Sequence, residues 1–251
     1  MTVLFREFSG PLLCPRGSVV CIGAFDGLHL GHQYLLGQAK LKALELNVNL
    51  VVVSFEPLPR EYFMRANPPA RLILASQKIK LLREFGADVV GLLRFNESLA
   101  NTSSDDFIKK LIVGRLNAKA VFIGPDFYFG KNRQGNVSVM QKAGECFGFE
   151  TVSVVPQLQH SARISSSLIR DDLQNGRLKD AAEKLGRAYA LEGKVVRGKQ
   201  LGRTLGYPTA NIRFRGKKPA LMGIYATWVH GVAEQAIASV SSVGTRPTVS
   251  G

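Results

Sequence analysis

Two histidines, His29 and His32, close the segment Gly23-Ala24-Phe25-Asp26-Gly27-Leu28-His29-Leu30-Gly31-His32. A neutral imidazole donates one hydrogen bond to a phosphoryl oxygen and an imidazolium adds a charge, so this pair can flank a single triphosphate. The glycines around it, Gly23 and Gly31 among them, permit a tight turn and close backbone approach to a phosphate. Zinc ligation or a structural histidine pair is the competing use, although no third and fourth ligand stands at useful spacing.

A second cluster runs Gly124-Pro125-Asp126-Phe127-Tyr128-Phe129-Gly130-Lys131-Asn132-Arg133-Gln134-Gly135. Its consecutive aromatic rings offer a stacking surface to a flat heteroaromatic ligand, while Lys131 and Arg133 could meet that ligand's phosphate. The alternative is a hydrophobic loop plug with solvated cations. A third cluster is Arg163-Ile164-Ser165-Ser166-Ser167-Leu168-Ile169-Arg170. Hydroxyls and free N–H groups at a helix start, flanked by arginines, form an oxyanion cradle, and they also form an ordinary N-cap. A fourth, Gly198-Lys199-Gln200-Leu201-Gly202-Arg203-Thr204-Leu205-Gly206-Tyr207-Pro208-Thr209-Ala210-Asn211, is glycine-punctuated and basic. Gly202 and Arg203 suit phosphate, and Thr209 and Asn211 supply hard oxygens suited to Mg²⁺. A β-hairpin turn with surface cations would look the same.

The elements that must position these clusters follow from apolar periodicity. Short, nearly charge-free runs over Val19–Ala24, Leu50–Phe55, Asp88–Leu93, Ala120–Gly124 and Thr151–Val155 read as strands buried on both faces. Between them the spacing predicts helices over His32–Leu46, over Gln77–Phe85 capped by Ser76, over Asp105–Leu116 capped by Ser104, and over Asn136–Phe147. Two further helical stretches, Ser165–Gln174 and Arg177–Gly186, follow the last strand. Strands alternating with helices imply a parallel α/β sheet, and the first three clusters each follow a strand, so they would gather at one end of it. From Tyr189 onward the texture changes to glycine-rich short strands, which places a boundary near residue 186.

Composition bounds the class of protein. Apolar residues are 45% and charged residues 21% of 251, which suits a folded chain and excludes collagen, coiled coil and disorder. No apolar run approaches the roughly 20 residues that span a bilayer. The N-terminus lacks the basic-then-apolar order of a secretory signal, and Cys14, Cys21 and Cys146 fit a reducing compartment, so the expected location is cytoplasmic, with no membrane partner. Thirty-three Lys+Arg against 19 Asp+Glu give a net charge of +14, which calls for an anionic partner. Residues 186–251 hold ten of the basic and two of the acidic residues, so the excess is concentrated there. Nucleic acid is not the expected partner, and small-molecule phosphates are; oligomeric state is not legible.

In order and spacing, GAFDGLHLGH, GPDFYFGKNRQG, RISSSLIR and GYPTAN resemble the prokaryotic bifunctional riboflavin kinase/FAD synthetase family over nearly the whole chain. The resemblance implies a Rossmann-like nucleotidylyltransferase domain over residues 1–186. An incomplete Greek-key β-barrel of the riboflavin kinase kind would occupy residues 187–251. It implies adenylyl transfer from ATP to FMN, riboflavin phosphorylation as the second activity, and ATP, Mg²⁺, FMN and riboflavin as the small molecules. Carried over, the catalytic set is His29, His32, Asp126, Arg163, Ser166 and Ser167, with Gly23, Phe25, Gly31, Ser165, Arg170, Gly202 and Arg203 binding phosphate. Phe127, Phe129 and Asn132 would bind the flavin, and Thr209 and Asn211 the metal. The chain departs from the family at Leu58, where a histidine is usual. Its last residues, Gly244–Gly251, resemble a stretch midway through the family's kinase domain, ahead of the kinase glutamate. The expectation is retained FMN adenylylation and impaired riboflavin phosphorylation. A different nucleotidylyltransferase, or a non-catalytic basic nucleotide- or nucleic-acid-binding module, is the alternative.

Overall fold

The computed structural model describes residues 2–155, 158–159, 162–197, 209–214 and 217–244. Six strands, β1 (Val3–Phe5), β2 (Ser18–Ile22), β3 (Asn49–Glu56), β4 (Val89–Arg94), β5 (Ala118–Ile123) and β6 (Glu150–Ser153), form one sheet in the order β1-β4-β3-β2-β5-β6. Every pairing in it is parallel. The helices between the strands are α1 (Leu30–Glu45), α2 (Pro59–Phe63), α3 (Ala75–Phe85), α4 (Glu97–Ala100), α5 (Ser104–Asp106) and α6 (Val137–Phe147). After α5 the chain continues through Phe107–Arg115 in wider i→i+5 turns.

Side chains alternate across the sheet and feed two cores. Val20, Ile22, Val51 and Val53 face one way, against Phe107, Leu111, Ile112 and Met140. Val19, Cys21, Leu50 and Val52 face the other, against Leu36, Ala39 and Ala43 of α1 and Leu82 of α3. Helices therefore cover both faces, which is why these strands read as continuous apolar runs; each fully buried aliphatic side chain contributes about 1.5–3 kcal/mol.

All five expected strands and four inter-strand helices are present, with shifted ends and two different caps. Ser103, one residue before the expected Ser104, is the N-cap, its hydroxyl accepting from Asp106 N at 3.0 Å. α3 starts earlier than expected because buried Leu74 occupies the cap position, with no side-chain cap, and Ser76 falls inside the first turn.

Past β6 come β7 (Leu158–Gln159) and β8 (Ala162–Arg163), an antiparallel pair, then α7 (Ser166–Gln174) and α8 (Leu178–Leu185). Ile169, Leu173, Ala181 and Leu185 from these helices bury against Leu72 and against Ala220 and Leu221 from the chain's last part. That part contains antiparallel β9 (Lys194–Val196) with β10 (Asn211–Arg213), and β11 (Gly223–Val229) with β12 (Ile237–Val243). It is tied to the parallel-sheet unit by Arg71 N donating to Lys218 O at 2.9 Å and by the ion pair of Lys217 with Glu61 at 3.2 Å.

Candidate functional site at the sheet's switch point

β2 has β3 on one side and β5 on the other, so the direction of winding reverses between β2 and β5. In open parallel sheets the crevice outside the carboxyl ends of such neighbours is where ligands bind. The His29 cluster leaves β2 and the Asp126 cluster leaves β5, so both open onto it.

The first loop is strained into shape. Phe25, Gly27 and Leu28 have φ of 47°, 84° and 45°, a left-handed path that Gly27 adopts freely and the other two hold only because they are buried. A Cβ on Gly23 would lie 2.9 Å from the Phe25 ring, so only glycine lets that ring fold back under the loop. His29 is the N-cap of α1, and its Nδ1 accepts from His32 N at 3.3 Å. This bond assigns the His29 proton to Nε2, leaving that N–H free to donate. The His29 and His32 rings stack at 3.7 Å with 17° between planes, and the Phe25 edge meets His32 at 5.2 Å. Gly31 makes room for the stack: a Cβ there would stand 3.3 Å from His29 Cε1 and Nδ1.

Both imidazoles are neutral at pH 7. Burial, followed by the nearby Arg163, Arg170 and Arg187 guanidiniums, pushes His29 down to about 4. Burial, then His29 and Lys78, holds His32 well below the ordinary histidine range, and its Nδ1 has no hydrogen-bond partner among the described residues. The pair can therefore offer hydrogen bonds at the N-terminus of α1 without its own charge, while the arginines supply the positive potential.

The serine cluster joins this loop directly. Ser165 caps α7, accepting from Leu168 N at 3.2 Å, and Ser166 Oγ donates to Asp26 O at 2.9 Å. Ser167 is exposed at the same helix start. Arg170 Nη2 pairs with Asp26 Oδ2 at 2.6 Å and its Nε donates to Ala70 O at 2.6 Å, so Arg170 braces the cradle from behind. Arg163 forms an ion pair with Asp126, which brings the third loop to the first two.

The aromatic residues divide. Phe129 is buried against Phe107, with ring centroids 5.3 Å apart, and a Cβ on Gly135 would strike its ring, so Phe129 shapes the loop from inside. Phe127 stacks on it at 5.5 Å and is partly buried, while Tyr128 is exposed beneath Arg133, whose guanidinium sits 4.2 Å over the ring. Asn132 takes a left-handed φ of 55° at the loop tip. Leu58 is buried at the start of α2, and its backbone N donates to Glu61 at 3.0 Å. Asn211 opens β10, Thr209 is exposed just before it, and Gly202 and Arg203 lie outside the described residues. Among the described residues no group of three or more His, Cys, Asp or Glu could hold a metal ion.

Four residues near the site are given no role by the sequence. Asp26 gathers Leu72 N, Ile73 N and Arg170 on one buried carboxylate. Arg187 donates to Gly27 O at 2.6 Å, and Gln33 Nε2 bridges Leu28 O and Leu185 O, each at 2.9 Å, docking the end of α8 onto the first loop. Lys78 is buried beneath the same loop. All four act across long stretches of chain, which no local pattern announces.

Parallel strands, a switch-point crevice and a histidine pair meeting a serine–arginine cradle define a nucleotidylyltransferase-type α/β protein. Comparison with known proteins is specific beyond that class. The family model described as FAD synthetase matches residues 13–168, and that described as riboflavin kinase matches residues 185–251. The chain is 41% identical over 236 residues to the bifunctional riboflavin kinase/FMN adenylyltransferase of Haemophilus influenzae, covering 94% of this chain and 77% of that one. Identity to the Escherichia coli K12 protein of the same name is 39%, covering 94% and 75%. A solved structure titled a macrolide-efflux protein from Streptococcus pneumoniae superimposes with a TM-score of 0.79 at 28% identity, over 100% of this chain and 81% of that one. The chain belongs to the bifunctional riboflavin kinase/FMN adenylyltransferase family. No helix among the described residues is long and apolar enough to cross a membrane.

Proposed function

We propose that this chain transfers the adenylyl group of MgATP to FMN, giving FAD and pyrophosphate, on residues 1–186. Riboflavin 5′-phosphorylation, the family's other activity, is assigned to residues 187–251, with Thr209 and Asn211 offering oxygens to the Mg²⁺ of ATP. The observation that carries the first assignment is the join between His29–His32 and the α7 cradle through Ser166 and Asp26.

The FMN phosphate is already largely ionised near pH 7, its second pKa being about 6, so the site needs no strong base. One of its oxygens attacks the α-phosphorus of ATP, forming a P–O bond as the bond to the pyrophosphate oxygen breaks. His29 Nε2–H, His32, Arg163, the hydroxyl of Ser167 and the N-terminus of α7 are suited to hold the triphosphate and to meet charge on the departing pyrophosphate. Ser165 and Ser166 order that helix start, and Arg170 holds it through Asp26. Asp126 orients Arg163, and the Phe127–Tyr128 loop with Asn132 offers a flat flavin ring an aromatic surface. ATP brings Mg²⁺ with it, neutralising phosphate charge.

Incubation with MgATP and FMN, followed by separation of the flavins, tests this. FAD and pyrophosphate in equal amounts support the reading, and unchanged FMN refutes it. Riboflavin supplied in a parallel incubation reports the second activity as the sum of FMN and FAD.

A further inference from the structure

Lys78, on α3, is fully buried and has no carboxylate within ion-pairing distance among the described residues. Its Nζ donates to Ala24 O at 2.6 Å and to Ser54 Oγ at 3.0 Å, and Ser54 Oγ donates to the same carbonyl at 3.0 Å. The acidic groups facing it are already engaged: Asp26 by Arg170, Glu56 by buried Arg71, and Glu61 by Arg71 and Lys217. An ammonium buried without a carboxylate of its own is costly. Core stability does not account for it.

Its position does. Ala24 precedes Phe25, whose left-handed backbone and buried ring back His32. We infer that Lys78 is a positioning residue for the triphosphate site: it fixes the Ala24–Phe25 turn that carries His32 and places a positive charge beneath the loop. This rests on the adenylyl-transfer reading for its substrate. Among the described residues Lys78 bonds Ala24 and Ser54 and neither the cradle hydroxyls nor the imidazoles, so it acts through the loop. Its charge also bears on His32, depressing that imidazole after burial and His29. Burial pushes Lys78 itself down to about 8, opposed by Asp26, Glu56 and Glu61 and reinforced by Arg71.

The test compares the full chain with Lys78→Met and Lys78→Arg by MgATP calorimetry, thermal unfolding, imidazole NMR titration, and the pH dependence of kcat/KM for FAD formation. Lys78→Met should keep or raise Tm, since Ser54 still serves the Ala24 carbonyl. It should weaken MgATP binding at least tenfold and move the His32 titration upward. Wild-type kcat/KM should fall above about pH 8 as the ammonium deprotonates. Lys78→Arg should recover part of the affinity and lack that fall. A Lys78→Met chain with wild-type MgATP affinity and an unmoved His32 overturns the inference, and so does one that loses its fold or melts well below wild type. If the wild-type chain forms no FAD, the adenylyl-transfer reading fails by itself, and the His32 titration still decides the role of Lys78.

Discussion

Arg170 and Asp26 meet across 144 residues of chain, with Nη2 2.6 Å from Oδ2, and Asp26 is only 2% exposed. This pair locks the start of α7 onto the loop that leaves β2, and Ser166 adds a second tie to the same residue. The two loops are therefore one unit. Asp26→Ala would leave a partly buried guanidinium and two buried backbone N–H groups without their acceptor. A loss of about 3–5 kcal/mol is expected, read from urea unfolding with fluorescence. Arg170→Met combined with Asp26→Ala should lose less than the sum of the two singles, because the unpaired charge is gone.

His32→Ala removes an imidazole from the proposed triphosphate grip without opening the main core. Turnover of FMN to FAD should drop about 10²- to 10³-fold, while the far-ultraviolet circular dichroism spectrum stays superimposable. A variant of near wild-type rate would remove His32 from the chemistry.

Gly31→Ala separates stability from activity. Alanine is the better helix former by about 1 kcal/mol, yet its Cβ would press on His29 at 3.3 Å. The expected outcome is an unchanged or higher Tm with kcat reduced roughly 10- to 100-fold, since small displacements of a positioned group are costly. An unchanged kcat would mean that the stacked geometry does not matter.

Acid should weaken the fold before ordinary carboxylates protonate. His29 is pushed from the ordinary 6.5 down to about 4, so the unfolded chain takes up a proton that the folded chain refuses between those values. Stability is fully present above pH 6.5 and falls as pH drops toward 4, by at most about 3 kcal/mol from this residue. His32 acts in the same direction. Urea midpoints measured from pH 7 to pH 5 should decline in wild type and decline less in His29→Asn; parallel curves would contradict this.

The main sheet was legible because β2 to β5 are buried on both faces and carry few charges, so their runs stand out. β1 was missed, being three residues at an edge, although Phe5 is buried over Gly91, where a Cβ would stand 2.4 Å from its ring. His29, His32 and the serine triplet were legible because each cluster is local and sits at a helix start. Arg71, Glu56, Glu61 and Lys78 look like a solvated face when read along the chain, and only tertiary packing turns them inward. The same holds for Asp26 and Arg187, whose partners lie far away in sequence. For Phe129 the aromatic run suggested a ligand surface, whereas packing on Phe107 makes it a support and leaves Tyr128 exposed.

The most direct measurement follows the phosphorus atoms. With FMN as acceptor and ATP labelled at the α-phosphate or at the γ-phosphate, the α label should appear in the flavin dinucleotide and the γ label in pyrophosphate. Both transfers should be slowed together in His32→Ala. Label from the γ-phosphate in the flavin, or an α label that never leaves ATP, would contradict a loop cluster built to grip a triphosphate while its innermost phosphorus is attacked.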